Sequence, residues 1–119
     1  EEIEKELQEY SVKRTFRDYP QSATNIAKRA IKYTDENPND CATAVGKNRA
    51  QQLAKREALS YDTVKRTYSY LSRAATYNTG SFEDSDGKPV CGSISYAYWG
   101  GEPMRKWCEK TIKEVEGDA

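Results

Sequence analysis

The sequence predicts a mainly α-helical fold, a compact bundle of about five or six short helices with no substantial sheet. Apolar residues recur three and four positions apart over most of the chain, which is the spacing that places them on one face of a helix. Clusters of Pro, Gly, Asp and Asn interrupt this spacing and are typical of the turns between helices. The length of 119 residues suits a single hydrophobic core.

The composition is polar for a folded domain. Hydrophobic residues make up 36% of the chain and charged residues 32%, with a mean hydropathy of -0.99. Nine Tyr and two Trp supply much of the apolar area. Such rings have a large apolar body but require a partner for the hydroxyl or indole N–H. We therefore expect a thin, aromatic core surrounded by solvated helix faces.

The chain divides into three parts by composition. Residues 1–16 are predicted to form an acidic leader helix, since residues 1–10 hold five Glu against Lys5. This helix either docks on one edge of the domain or serves as an arm that binds a partner. Residues 17–116 form a single helical domain, and residues 117–119 form a tail.

Cap and turn residues set the expected helix ends within the domain. Pro20 breaks the chain, and Ser22 follows where an N-cap is expected. Thr43 is predicted to cap a second helix that contains Gly46, where we expect another backbone to pass closely. The third helix begins at Ser60 or Tyr61.

Glycine and proline residues mark the expected helix ends in the C-terminal third of the domain. A short aromatic helix beginning at Ser93 or Ser95 is predicted to run to Trp99 and to stop at Gly100-Gly101, because Gly readily adopts the left-handed conformation that closes a helix. Pro103 suits the first turn of the last helix.

Residues 51–68 resemble a helix-turn-helix. Ala54 is small where the two helices would meet, Leu59 fills the turn, and Val64 enters the core from the second helix. Residues 41–77 hold seven Lys or Arg against Glu57 and Asp62, so this segment is basic although the whole chain is neutral. The candidate residues for binding nucleic acid or a protein partner are Lys55, Arg56, Tyr61, Lys65, Arg66, Ser69 and Arg73. The alternative is a plain structural helix pair.

A second cluster is aromatic and surrounds Gly100-Gly101. It consists of Tyr96, Tyr98, Trp99 and Trp107. Such rings can stack on bases or clamp a partner. In a protein poor in Phe and Met they more often form the core, so we predict Trp99 and Trp107 to be core aromatics.

The sequence offers little catalytic chemistry. The absence of His removes the commonest general base and metal ligand. The segment 84–87 resembles the middle of a calcium loop, but Phe82 and Ser93 stand where ligands are required, so a solvated turn is expected. We predict no catalytic residue, no metal site and no cofactor. A carboxylate-dependent enzyme is the weakest alternative.

The cysteine pattern gives an expectation about the redox environment. Cys41, Cys91 and Cys108 are odd in number and widely spaced, with no Cys-x-x-Cys motif. The simplest interpretation is a reduced, intracellular setting in which all three thiols are partly buried small apolar groups.

An ordered set of short motifs resembles a small helical domain of tailed bacteriophages and prophages, found alone or attached to head-morphogenesis proteins such as prohead proteases. The motifs are Arg17-Asp18-Tyr19-Pro20, Ala27-Lys28-Arg29-Ala30, Thr43-Ala44-Val45-Gly46, Arg49-Ala50, Leu53-Ala54, Leu59-Ser60, Thr63-Val64-Lys65-Arg66, Tyr68-Ser69-Tyr70, Ser72-Arg73, Trp99-Gly100-Gly101 and Trp107. The likeness covers residues 17–113. The family usually has a His after the Arg73 position, where this chain has Ala74 and Ala75.

This resemblance implies a phage context more than an activity. The leading hypothesis is a non-enzymatic accessory module of the virion or head that binds phage structural proteins. The alternative is a DNA-binding helix-turn-helix module in packaging, replication or regulation. We expect the chain in the virion or the bacterial host cytoplasm, neither secreted nor in a membrane, and with no small-molecule cofactor.

Overall fold

The computed structural model describes residues 15–118 and confirms the mainly α-helical fold. The described residues form five α-helices and one two-stranded sheet. In chain order the elements are β1 (Thr15–Phe16), α1 (Gln21–Glu36), α2 (Ala44–Ala54), β2 (Leu59–Ser60), α3 (Tyr61–Ala74), a 3-10 turn (Ala75–Tyr77), α4 (Cys91–Tyr98) and α5 (Gly101–Asp118).

Both ends of the described chain differ from the expected boundaries. Most of the predicted leader helix, residues 1–14, lies outside the described residues. Its last two residues form β1, which pairs antiparallel with β2 so that Thr15 lies opposite Ser60 and Phe16 opposite Leu59. At the other end, α5 continues through Gly117, so the helix extends into the segment that the sequence assigned to a tail.

Pro20, not Ser22, occupies the N-cap of α1. Its backbone is extended, and its carbonyl oxygen accepts a hydrogen bond from the Ala23 amide at 3.0 Å. Ser22 lies inside the first turn with an exposed side chain, so the predicted cap is wrong. The buried face of α1 consists of small residues, which allow α2 and α4 to pack closely against it: Ala23, Thr24, Ala27 and Ala30.

The predicted cap of α2 at Thr43 and the predicted start of α3 at Ser60 or Tyr61 are confirmed. The Thr43 hydroxyl oxygen accepts a hydrogen bond from the Gly46 amide at 3.1 Å, and the Ser60 hydroxyl oxygen accepts one from the Thr63 amide at 3.1 Å. Each bond satisfies an amide that the first turn of a helix leaves without an intrahelical partner.

Helices α2 and α3 do not form the directly packed pair of a helix-turn-helix. The main neighbour of α3 is α5, whereas α2 packs against α1 and α4. The indole of Trp99 lies between α2 and α3, stacked on Tyr70 of α3 at 4.2 Å and lying 5.2 Å from the guanidinium of Arg49 on α2. The connection between the two helices also contains a strand, β2. The prediction that their apolar faces meet is therefore wrong, because an aromatic ring separates them.

Gly46 leaves room for this indole, and Gly100 leaves room for Met104. A Cβ at Gly46 would lie 3.1 Å from the Trp99 Nε1, so the close neighbour of Gly46 is a side chain and not the predicted backbone. Gly100 has φ +101°, and a Cβ there would lie 2.6 Å from the Met104 Cβ. The predicted break between α4 and α5 occurs at Trp99 and Gly100, and Gly101, which also has positive φ, is the first residue of α5. Helix α4 begins at Cys91 and not at Ser93 or Ser95.

The core is aromatic and small-residue rich, as the composition indicates. Trp99 is 8% exposed, which confirms it as a core residue. Trp107 is half-buried and packs edge-on against Phe16 and Tyr19, at 6.3 and 5.7 Å between ring centroids. Val45 on α2 is an exception to this packing, since it is 58% exposed.

Cys41 and Cys91 form a disulfide, which overturns the prediction of three reduced thiols. Their Cα atoms are 4.8 Å apart although the residues are 50 positions apart in sequence. The bond joins the segment after α1 to the first residue of α4. Cys108 is free and buried. The odd count and wide spacing gave no sign of this pairing, because the fold alone brings the two residues together.

None of the helices among residues 15–118 combines the length and apolar character needed to cross a bilayer.

The disulfide predicts a specific thiol count. Unfolded in guanidinium chloride without a reductant, the protein should react with a thiol reagent once per chain, and three times after reduction. The folded protein should be unreactive at pH 8, because burial raises the pKa of the Cys108 thiol to about 12. Reduction should also lower the free energy of unfolding by roughly 2–4 kcal/mol, since the bond closes a long loop. Three reactive thiols without reduction would contradict the pairing.

Candidate functional site

The exposed face of α3 carries most of the predicted binding residues. Successive residues of a helix turn by about 100°, so the buried positions of α3 face one way and a polar strip faces solvent. We call this strip the α3 ridge; it consists of Asp62, Lys65, Arg66, Ser69 and Arg73, all exposed. Four of the seven candidate residues thus lie side by side on one helix face.

Weak contacts along the helix hold the side chains of the α3 ridge. The Arg66 Nε lies 2.9 Å from the Asp62 Oδ2, and the Arg73 Nη1 donates a hydrogen bond to the Ser69 Oγ at 2.7 Å. The Lys65 ammonium lies 4.9 Å from the centroid of the Tyr61 ring. Exposed pairs of this kind contribute about 0–1 kcal/mol, so a partner can replace them at small cost.

Arg56 is a structural residue and not a free binding cation, contrary to the prediction. Its Nη2 donates hydrogen bonds to the carbonyl oxygens of Tyr19 at 2.6 Å and Arg17 at 3.2 Å, and its Nη1 donates to the Thr24 Oγ1 at 2.6 Å. The guanidinium also lies over the Tyr19 ring, 4.7 Å from its centroid. Arg56 therefore ties the turn after α2 to the segment that leads into α1.

The other two candidate residues differ in exposure. Tyr61 is 6% exposed and packs against Phe16, so its predicted place on the binding face is wrong. Burial raises the pKa of the Tyr61 hydroxyl. Lys55 is exposed and follows the last residue of α2.

Three of the four residues of the aromatic cluster around Gly100-Gly101 belong to the buried core, and the fourth, Trp107, is half-buried. Tyr96 and Tyr98 are buried together with Trp99. The Tyr96 hydroxyl donates a hydrogen bond to the Glu102 carboxylate at 2.6 Å. Burial, and next this bond to Glu102, raise the pKa of Tyr96 to about 12, so the phenol stays protonated at neutral pH.

Arg49 is the residue that sequence reasoning missed. It is only 7% exposed, its guanidinium lies over Trp99, and its Nη1 donates a hydrogen bond to the Gln52 Oε1. Its Nε is buried and has no acceptor among the described residues. One signal pointed to it: Arg49 falls within the apolar stripe of Gly46, Ala50 and Leu53, where a charge is unexpected.

The segment 84–87 is a hydrogen-bonded turn. The Asp84 Oδ1 accepts hydrogen bonds from the amides of Asp86 at 2.9 Å and Lys88 at 3.0 Å, and Gly87 has φ +77°. This carboxylate oxygen therefore accepts hydrogen bonds from the backbone of its own turn. Residues 15–118 contain no group of three or more metal-ligating side chains placed to hold an ion.

Comparison of the chain with known proteins does not assign it to a family. No family model, no curated protein and no solved structure matches this chain.

The contrast between Arg56 and Lys55 gives a prediction about stability. Arg56→Ala should lower the free energy of unfolding by about 1–3 kcal/mol, because it removes hydrogen bonds to two carbonyls and one hydroxyl. Lys55→Ala, at the adjacent exposed position, should change it by less than about 0.5 kcal/mol. Urea denaturation of the two variants measures both values. Equal effects would mean that Arg56 is a surface residue.

Proposed function

We propose that this chain is a non-enzymatic, protein-binding module of a phage particle, and that the α3 ridge is its contact surface. The observation that carries the proposal is the exposure of the ridge: Lys65, Arg66, Ser69 and Arg73 are exposed on one face of α3, with only weak contacts along the helix. The other predicted contact regions have structural roles, since Arg56 and Tyr61 hold the fold and three of the four residues of the aromatic cluster are buried.

The motifs of the sequence supply the phage context. The family that they resemble usually has a His after Arg73, and the corresponding residue here, Ala74, is buried. A buried methyl group offers no acid–base chemistry at this position. This supports binding over catalysis.

The disulfide favours the particle over the host cytoplasm. Cytosolic thiols are kept reduced, whereas disulfides persist at virion surfaces and in other oxidising surroundings. Cys91 is exposed, so a reducing cytoplasm would have access to the bond with Cys41. A mature particle is the place where this bond would last.

The charge of the α3 ridge favours an acidic protein over DNA. Tight binding to duplex DNA neutralises several phosphates, typically about six to ten. The ridge presents three cations, and Asp62 pairs with one of them. The packing of α2 and α3 also lacks the geometry that brings a recognition helix into the major groove. A few cations beside a hydroxyl suit a small acidic patch on a protein.

DNA binding remains the second candidate because Lys65, Arg66 and Arg73 share one exposed face. A salt series on duplex DNA separates the two functions. Protein binding predicts weak retention on DNA that the ridge does not control. A steep, log-linear loss of affinity with salt, abolished by Lys65→Glu with Arg73→Glu, would assign the surface to DNA and contradict the proposal.

The direct test is incorporation into particles of the phage or prophage that encodes the chain. The ridge variant carries Lys65→Glu and Arg73→Glu, and the control carries Lys110→Glu and Lys113→Glu on the exposed face of α5. Quantitative mass spectrometry of purified particles should find the native chain and the control, with the ridge variant reduced at least about tenfold, the effect of losing roughly 1.4 kcal/mol of binding free energy.

Unchanged thermal unfolding of both variants establishes that the comparison concerns binding. Absence of the native chain from particles would contradict the proposal, and so would equal incorporation of the ridge variant and the control.

A further inference from the structure

Arg49 is a buried cation without an anionic partner among the described residues. It is 93% buried, since its exposure is 7%, and its guanidinium contacts the ring of Trp99 and the amide oxygen of Gln52. No carboxylate forms an ion pair with it in residues 15–118. Buried charges in proteins are normally paired, because removing an ion from water is costly. An unpaired buried guanidinium therefore indicates a missing anion.

The N–H groups of this guanidinium that lack hydrogen-bond acceptors lie on one edge of the group. Nη1 is occupied by Gln52, while Nε is buried without an acceptor and Nη2 donates no hydrogen bond within the described residues. Nε and Nη2 form one edge of the planar group, with two parallel N–H donors. This fork matches the two oxygens of a carboxylate.

A second cation, Arg66, lies near Arg49. Desolvation and then the positive charge of Arg66 lower the pKa of Arg49, and the one group that opposes them is the Cys108 thiol, not a carboxylate. Arg66 belongs to the α3 ridge, so Arg49 lies near the surface on which the proposed function depends. Two cations that repel each other in the free protein would both be stabilised by one anion between them.

We propose that the free edge of Arg49 binds the carboxylate of an Asp or Glu side chain from the protein partner that contacts the α3 ridge. This inference rests on the proposed function and identifies Arg49 as the residue that forms the central ion pair of that interface. Arg is enriched at such anchors, where a desolvated charge pair forms in the centre of a contact.

The burial of Arg49 favours a carboxylate over a DNA phosphate. A carboxylate on a flexible stem can reach the small exposed part of a guanidinium whose residue is 7% exposed. The phosphates of duplex DNA are fixed on a wide cylinder and bind cations that protrude from the surface. Lys65 and Arg73 protrude in this way, whereas Arg49 does not.

The experiment uses the indole that Arg49 contacts as the reporter. Trp107→Phe leaves Trp99 as the single tryptophan, because the chain has two. Titration with sodium acetate should change Trp99 fluorescence in a saturable way, whereas sodium chloride at the same ionic strength should not. Arg49→Lys keeps the charge but loses the fork, so it should weaken acetate binding at least tenfold.

A second variant keeps the test valid if the substitution at buried Arg49 disturbs folding. Arg66→Gln alters an exposed residue and should weaken acetate binding about threefold by removing the second cation. A matched control, Arg29→Gln on the exposed face of α1, should leave acetate binding unchanged. A response to acetate no greater than that to chloride would overturn the proposal. So would inorganic phosphate binding more than tenfold tighter than acetate at pH 7.

Particle incorporation distinguishes this inference from the proposed function. Arg49→Lys should reduce incorporation at least tenfold while Arg29→Gln does not. If Arg49→Lys enters particles normally but the ridge variant fails to do so, the proposed function stands and the carboxylate anchor is wrong. If the ridge variant also enters normally, both are wrong.

Discussion

The position of Trp99 between α2 and α3 is the constraint on which the rest of the structure depends. Its indole stacks on Tyr70 of α3 with an interplanar angle of 23° and contacts the guanidinium of Arg49 on α2. Gly46 leaves space for the ring edge, and the left-handed Gly100 turns the chain immediately after it. Because the ring fills the space where two helices would otherwise meet, α3 packs on α5 and turns its polar ridge outward.

The same arrangement explains why a charged residue is buried. Arg49 gains a cation–π contact and one side-chain hydrogen bond, which offset only part of the free energy lost when a guanidinium leaves water. Other links stabilise the surrounding elements. The disulfide joins the segment before α2 to α4, and Arg56 joins the end of α2 to the segment before α1. A local loss of folding free energy of this kind is typical of a functional site, where a bound ligand can supply the missing interactions.

Local patterns predicted the helices well, and long-range pairings explain what they missed. Caps at Thr43 and Ser60 and the glycine break after Trp99 follow from residues a few positions apart, so the sequence alone reveals them. The same helical spacing put Lys65 and Arg66 on an exposed face. The roles of Arg56 and Tyr61 depend on partners in the segment before α1, and the disulfide on residues 50 positions apart. No periodicity in one helix encodes such contacts.

Nuclear Overhauser effects from the Trp99 indole test the central arrangement most directly. The structure predicts contacts from the indole protons to the Tyr70 ring on α3 and, in the same molecule, to the Gly46 α-protons on α2. Contacts on both sides would establish that the ring separates the two helices. Direct contacts between the apolar side chains of α2 and α3, with none from Trp99 to Gly46, would contradict this account of the fold and of the buried arginine.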